Sequence, residues 1–198
     1  MDDWFLGRNE TYAIQVEASL AKALSFSHRQ RRQQADVQQE TMAAGVAPPH
    51  FYRELTRTAE GCRLLEEKAH FAEFVATINT WMDTQEDAEL ILKVKGCIWA
   101  VANIGAMELG ARFLETTNAV EIIVKIAEES EIMSMRGTAF FALGLISRSV
   151  HGQELLAECN WDVTIDDEGH SRGICLPTDF KRLFMVSLKH VCNLERLC

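Results

Sequence analysis

Residues Lys95–Gly105, KGCIWAVANIG, decide the fold. At helical spacing Val94, Cys97, Ile98, Val101 and Ile104 fall on one side while Trp99 and Ala102 fill the other, which predicts a helix covered on nearly all sides. A lone surface helix would keep a polar face. Working outward, the stretch has an echo: Lys95-Gly96 aligns with Arg136-Gly137, Trp99 with Phe140 and Ile104 with Leu145, an offset of 41 residues. A second landmark, Gly-x-x-Leu-Leu in its fullest form, occurs as Gly61-Cys-Arg-Leu-Leu, Gly110-Ala-Arg-Phe-Leu and Gly152-Gln-Glu-Leu-Leu, with spacings of 49 and 42 residues. Helical self-similarity with a period of roughly 40 to 47 residues is the mark of armadillo or HEAT repeats. The expected fold is therefore all-α, an α-solenoid.

Gly96 and Gly137 hold the same place in two units although glycine inside a helix costs about 1 kcal/mol relative to alanine. Close approach of a neighbouring helix would account for both. Repeats of this kind bury their apolar faces only against their neighbours, so small residues belong where backbones nearly touch.

Composition agrees. The chain has 198 residues, 47% of them hydrophobic, and only three prolines, Pro48, Pro49 and Pro177, so long tracts are free to be helical. A formal net charge of -9 argues against nonspecific nucleic-acid binding, which needs a basic surface. The one basic cluster, Arg29, Arg31 and Arg32 beside His28, reads as the solvated end of an N-terminal helix. Six cysteines show neither a C-x-x-C pair nor zinc-finger spacing, and several lie on apolar helix faces, which suits a reducing compartment. No apolar core of a secretory signal opens the chain. The longest uncharged run, Gly96 to Met107, has twelve residues against the roughly 20 needed to span a bilayer.

In chain order, residues 1–47 predict an N-terminal helix and a connector, with Asn9 as N-cap and Tyr12, Val16, Leu20 and Leu24 as the buried stripe. Residues 48–160 carry the repeats. Phe71, Phe74, Val75 and Ile78 share one helix face, and Asn118 with Glu121 resembles a capping pair ahead of Ile122, Ile123 and Ile126. Residues 161–198 predict an acidic exposed loop, Trp161 to Gly173, followed by a C-terminal helix with Phe180, Leu183, Phe184, Leu188 and Val191. That helix reaches Cys198 with neither cap nor glycine to end it, as in a piece of a longer chain.

Catalytic signatures are missing. The eleven glycines form no nucleotide loop, and neither G-x-S-x-G nor H-E-x-x-H occurs. The six histidines show no i, i+3 or i+4 pairing, and Asp162, Asp166, Asp167 and Glu168 lack calcium-loop spacing, so no cofactor or metal is expected. Cys97, placed in the most apolar helix, should be inert. The function of such a scaffold lies in its surface. Trp99, Asn103, Arg136 and Trp161 are the candidate interaction or repeat-packing residues, with Asn103 one turn beyond Trp99 and in need of a hydrogen-bond partner from a ligand's backbone or a neighbouring repeat.

Several motifs in order resemble the conserved region of the rictor, or pianissimo, family, the rapamycin-insensitive companions of the TOR kinase. They are W-A-x-x-N-I-G at Trp99 to Gly105, S-x-R-G-T at Ser134 to Thr138, L-G-L-I at Leu143 to Ile146 and N-W-D at Asn160 to Asp162. Phe51 to Phe71 is similar to the segment that precedes them in that family, whose fungal-type members the flanks resemble. The resemblance implies a non-catalytic scaffold and regulatory subunit of target of rapamycin complex 2. It implies binding to the TOR kinase and the Sin-type subunit, help in recruiting AGC-family kinase substrates, and a cytoplasmic location with peripheral membrane contact through the complex. The other reading is a stand-alone armadillo-type adaptor that grips an extended peptide. A regular asparagine ladder would favour it, but Asn103 aligns with Gly144.

Overall fold

The structure, a computed structural model, describes residues 1–30, 49–81 and 87–184. Helices succeed one another as α1 (Asn9–Gln30), α2 (Phe51–Leu55), α3 (Ala59–Glu67), α4 (His70–Trp81), α5 (Ala88–Gly105), α6 (Glu108–Glu115), α7 (Ala119–Glu129), α8 (Met133–Ile146) and α9 (Val150–Glu158). A hairpin of β1 (Trp161–Ile165) and β2 (Ser171–Pro177) and a 3-10 turn, Phe180–Leu183, complete the described chain. The fold is an all-α helical repeat that carries this small hairpin.

The repeat is visible in how the units stack. Long helices α5 and α8 lie side by side, α4 packs on α5 as α7 packs on α8, and the short helices α3, α6 and α9 form a row along one edge. Gly61, Gly110 and Gly152 explain the recurring landmark. Each is the third residue of its short helix, and a Cβ there would run into the carbonyl oxygen of the residue six positions earlier, Leu55, Ile104 and Ile146 respectively. The chain turns so sharply at these points, by 120° between α5 and α6, that only a hydrogen fits. Two of the three short helices are also capped alike: Thr58 and Ser149 accept from the amides of Gly61 and Gly152, while Met107 has no side chain able to do so.

The expectation about Gly96 and Gly137 splits. A Cβ on Gly96 would lie 2.9 Å from the carbonyl carbon of Asn9, so α1 does press on α5 there. Gly137 has nothing within 4 Å and borders open space. Every residue of α5 from Val94 to Gly105 is buried, because α1, α4, α6 and α8 surround it. The Phe71, Phe74, Val75 and Ile78 face of α4 is buried as its spacing required.

Four local expectations are corrected. Asn9 is not a cap: its backbone is helical (φ -63°, ψ -41°), and helical turns continue upstream because Trp4 stacks on Phe51 and Phe5 on His70. Tyr12 and Val16 are buried as expected and Leu20 packs beside them, whereas the side chain of Leu24 and residues 31–48, with Arg31 and Arg32, lie outside the described residues. Asn118 makes no capping bond; its backbone (φ -89°, ψ 28°) lies outside the extended conformation that a capping residue usually adopts. The acidic loop is instead a hairpin, with Trp161 opposite Pro177, Val163 opposite Cys175 and Ile165 opposite Ser171. Only its tip, Asp166 to Gly169, is an acidic turn, in which Asp166 Oδ1 accepts from the amides of Glu168 and His170. After Pro177 the chain forms the 3-10 turn, and the expected helix beyond Phe184 falls outside the described residues.

Candidate interaction faces

Trp99 lies in α5 on the side where α1 crosses it, 4% exposed, within a cluster of Tyr12, Ala13 and Val16. The Tyr12 ring meets it edge to face at 6.1 Å between centroids. Asn103, one turn on, is 3% exposed and its amide donates to the Trp99 carbonyl at 2.8 Å. Burial raises the Tyr12 hydroxyl pKa and the neighbouring Asn103 amide opposes that shift. At the far edge of this seam Lys95, its side chain 8% exposed, pairs with Glu17 at 2.7 Å, and Glu17 also accepts from Thr138 on α8. The chain's own N-terminal helix thus covers the stretch where a repeat scaffold would hold a ligand. What stays open beside it is a cavity of about 670 Å³ bounded by Tyr12, His50, Trp99, Asn103, Phe141 and Arg148.

Polar accounting is incomplete along this seam. Among the described residues, Asn9 Oδ1, Glu10 Oε2, His50 Nε2 and Trp99 Nε1 are buried without a hydrogen-bond partner; the first two belong to α1 and the other two pack against it. His50 Nδ1 accepts from the Tyr52 amide, which leaves the ring proton on Nε2. Burial alone lowers the His50 pKa to about 3.

Arg136 and Trp161 belong to the other end. Arg136 donates from Nε to the Ala127 carbonyl at 3.0 Å and from its terminal nitrogen to the Leu183 carbonyl, tying the end of α7 to the 3-10 turn. Trp161, 1% exposed, packs against Phe140 at 5.1 Å between centroids and donates from Nε1 to Glu128 Oε1 at 2.8 Å. Arg182 reaches the same Glu128 oxygen at 2.8 Å and donates to the Cys159 carbonyl at 3.0 Å. Sequence reasoning passed over Glu128, which looks like the ordinary acidic end of α7, and Arg182; the signal was an acidic residue four positions after Val124, on the same buried face of α7. The candidate residues therefore form two separate constellations, Trp99 with Asn103 and Arg136 with Trp161; Trp99, Asn103 and Trp161 are buried, and Arg136 is half-buried.

Nucleophile chemistry finds no footing in the cysteines described. Burial pushes the Cys97 and Cys175 thiols up to about 12, and Cys62 and Cys159 are also raised, chiefly by burial. No single helix among the described residues is long and apolar enough to cross a membrane.

Residues 92–162, which run from α5 through the start of β1, match the family described as rapamycin-insensitive companion of mTOR, domain 5. The chain belongs to the rictor and pianissimo family. It is 36% identical over 177 residues to the target of rapamycin complex 2 subunit ste20 of Schizosaccharomyces pombe, covering 89% of this chain and 13% of that protein. It is 33% identical over 193 residues to the complex 2 subunit TSC11 of Saccharomyces cerevisiae, covering 91% and 12%. With the human rapamycin-insensitive companion of mTOR the identity is 28% over 190 residues, covering 92% and 11%. The chain therefore spans about one eighth of the length of these relatives. The rictor-family match begins inside α5 and so takes in the paired long helices and the Trp99, Arg136 and Trp161 positions.

Proposed function

We propose that this chain is a non-catalytic scaffold and regulatory element of target of rapamycin complex 2, acting through protein contacts. The observation that carries the reading is its similarity, along nine tenths of its length, to two fungal proteins that are named as subunits of that complex. Stacked helices with buried thiols and inward-facing polar side chains suit a part that offers shape rather than chemistry. On this reading its partners are the TOR kinase and the Sin-type subunit, it helps recruit kinase substrates, and it works in the cytoplasm with membrane contact only through the complex. The adaptor alternative needs Trp99 and Asn103 open to a peptide, but they are only 4% and 3% exposed, Trp99 packs under α1, and the Asn103 amide already donates to the Trp99 carbonyl.

Affinity capture of the tagged chain from its own cells tests this. Recovery of TOR kinase together with its companion subunits is the expected result. Recovery of unrelated proteins through extended segments, without the kinase, would replace this reading with the adaptor.

A further inference from the structure

The cavity of about 670 Å³ beside Trp99 is lined by a one-sided set of polar groups. His50 and Trp99 lie in its wall, 1% and 4% exposed, and neither the His50 Nε2–H nor the indole N–H meets an acceptor among the described residues. Arg53 and Arg148 share that wall, and among the described residues no ion pair takes up either guanidinium. The carboxylate in the lining, Glu54, is already held by Arg57 at 2.9 Å. In a chain with a formal net charge of -9, two arginines without a carboxylate beside two buried donors are a local reversal of sign. The remaining wall is apolar, with Val16 and Leu20 from α1 and Phe141 and Leu145 from α8.

These groups define the chemistry of a ligand. A buried N–H keeps its desolvation penalty until an acceptor meets it, and a guanidinium favours an oxyanion through charge-assisted hydrogen bonds. A cation would find only the occupied Glu54. Cavities of this volume, mostly apolar with a few convergent polar groups, are of the size that holds a small molecule. An extended peptide needs a continuous open face, which α1 denies by packing over Trp99. We propose that the cavity binds a small amphipathic anion, its carboxylate or phosphate head drawn to Arg53, Arg148 and the two N–H groups and its hydrocarbon body packed on Val16, Leu20 and Phe141. The ligand then completes the seam between α1 and α5 where the protein's own hydrogen bonds stop. This site is independent of the scaffold role, so it stands or falls apart from capture of the kinase.

The test titrates the full chain, labelled with nitrogen-15, with octanoate and with octyl phosphate, using octan-1-ol and octylammonium as neutral and cationic controls. Four tryptophans give four indole N–H signals, and Trp99→Phe identifies the one from Trp99. The expected result is that an anion moves the Trp99 signal with a Kd below about 1 mM while the controls do not, and the tighter anion names the head group. The double variant Arg53→Gln with Arg148→Gln should melt like the parent, because Arg53 is half-buried and Arg148 exposed, and should bind about tenfold more weakly. In the parent chain the inference is overturned if neither anion moves the signal, or if octan-1-ol or octylammonium binds as tightly. A folded double variant that keeps full affinity overturns it equally.

Discussion

Two buried tryptophans mark the two ends of this molecule, and they are buried on different terms. Trp161 satisfies its indole N–H on Glu128, which in turn meets Arg182, so hairpin, α7 and 3-10 turn converge on one carboxylate. Trp99 is nearly as deeply covered, yet its N–H has no partner, and the same holds for His50, Asn9 and Glu10 around it. An unmet buried polar group costs about 1 to 3 kcal/mol, so α1 is held on α5 by apolar contact and the Lys95–Glu17 pair against an opposing polar cost. Burial alone does not measure attachment. Of two equally buried seams, the one with completed hydrogen bonds is the tighter.

The contrast is broken most severely at the hairpin. Trp161→Ala should cost about 3 to 5 kcal/mol by leaving a cavity beside Phe140, and the Glu128 carboxylate loses one of its two donors, keeping Arg182. A urea titration that finds less than about 1 kcal/mol would show that the hairpin is not part of the cooperative unit.

A finer comparison keeps the rings aromatic. Trp161→Phe removes a satisfied donor and should destabilise by about 2 to 3 kcal/mol, whereas Trp99→Phe removes an unsatisfied one and should cost under about 1.5 kcal/mol. Equal losses in the same titration would mean that the Trp99 N–H finds a partner in solution.

Acid should act on the Trp99 end first. The His50 pKa is depressed in the folded state to about 3, against about 6.5 when unfolded. Above pH 6.5 the residue contributes nothing to pH dependence. As pH falls below 6.5 the unfolded chain takes up a proton that the folded chain refuses, and stability drops, by up to about 2 kcal/mol at pH 5. The loss stops near pH 3. Melting curves between pH 7 and 4 should flatten in His50→Asn relative to the parent chain, and identical slopes would exclude His50 as the cause.

How much of this was legible in the sequence depends on the range of the forces involved. The Gly61, Gly110 and Gly152 landmarks could be read because each answers to a carbonyl six residues away, a constraint written locally. The envelopment of Trp99 followed from apolar residues on every side of one helix. The cover itself did not, since Tyr12 on α1 meets Trp99 on α5 from 87 residues away and Asn9 looks like a cap until Trp4 and Phe5 find Phe51 and His70. The hairpin was obscured by its short strands and acidic tip. Alternating Trp161, Val163 and Ile165 ahead of a turn ending in Gly169 was its signal. Glu128 was invisible because its partners lie 33 and 54 residues downstream.

The smallest effects concern glycines. Gly110→Ala should cost about 1 to 3 kcal/mol by driving a methyl group into the Ile104 carbonyl. Gly137→Ala, whose Cβ would meet nothing within 4 Å, should gain about 0.5 to 1 kcal/mol from helix propensity. Thermal melts of the two variants should move in opposite directions, and a parallel shift would show that the repeat does not distinguish these positions.

The central claim, that this stack of helices is an interchangeable part of a TOR complex 2 subunit, is tested most directly by transplantation. Residues 1–198 would replace the matching region of the fission yeast subunit ste20, and the kinase recovered with the tagged chimera would be measured by quantitative mass spectrometry. Recovery close to that of unaltered ste20 is the predicted result. A chimera that accumulates to the normal level yet brings down no kinase would contradict the account.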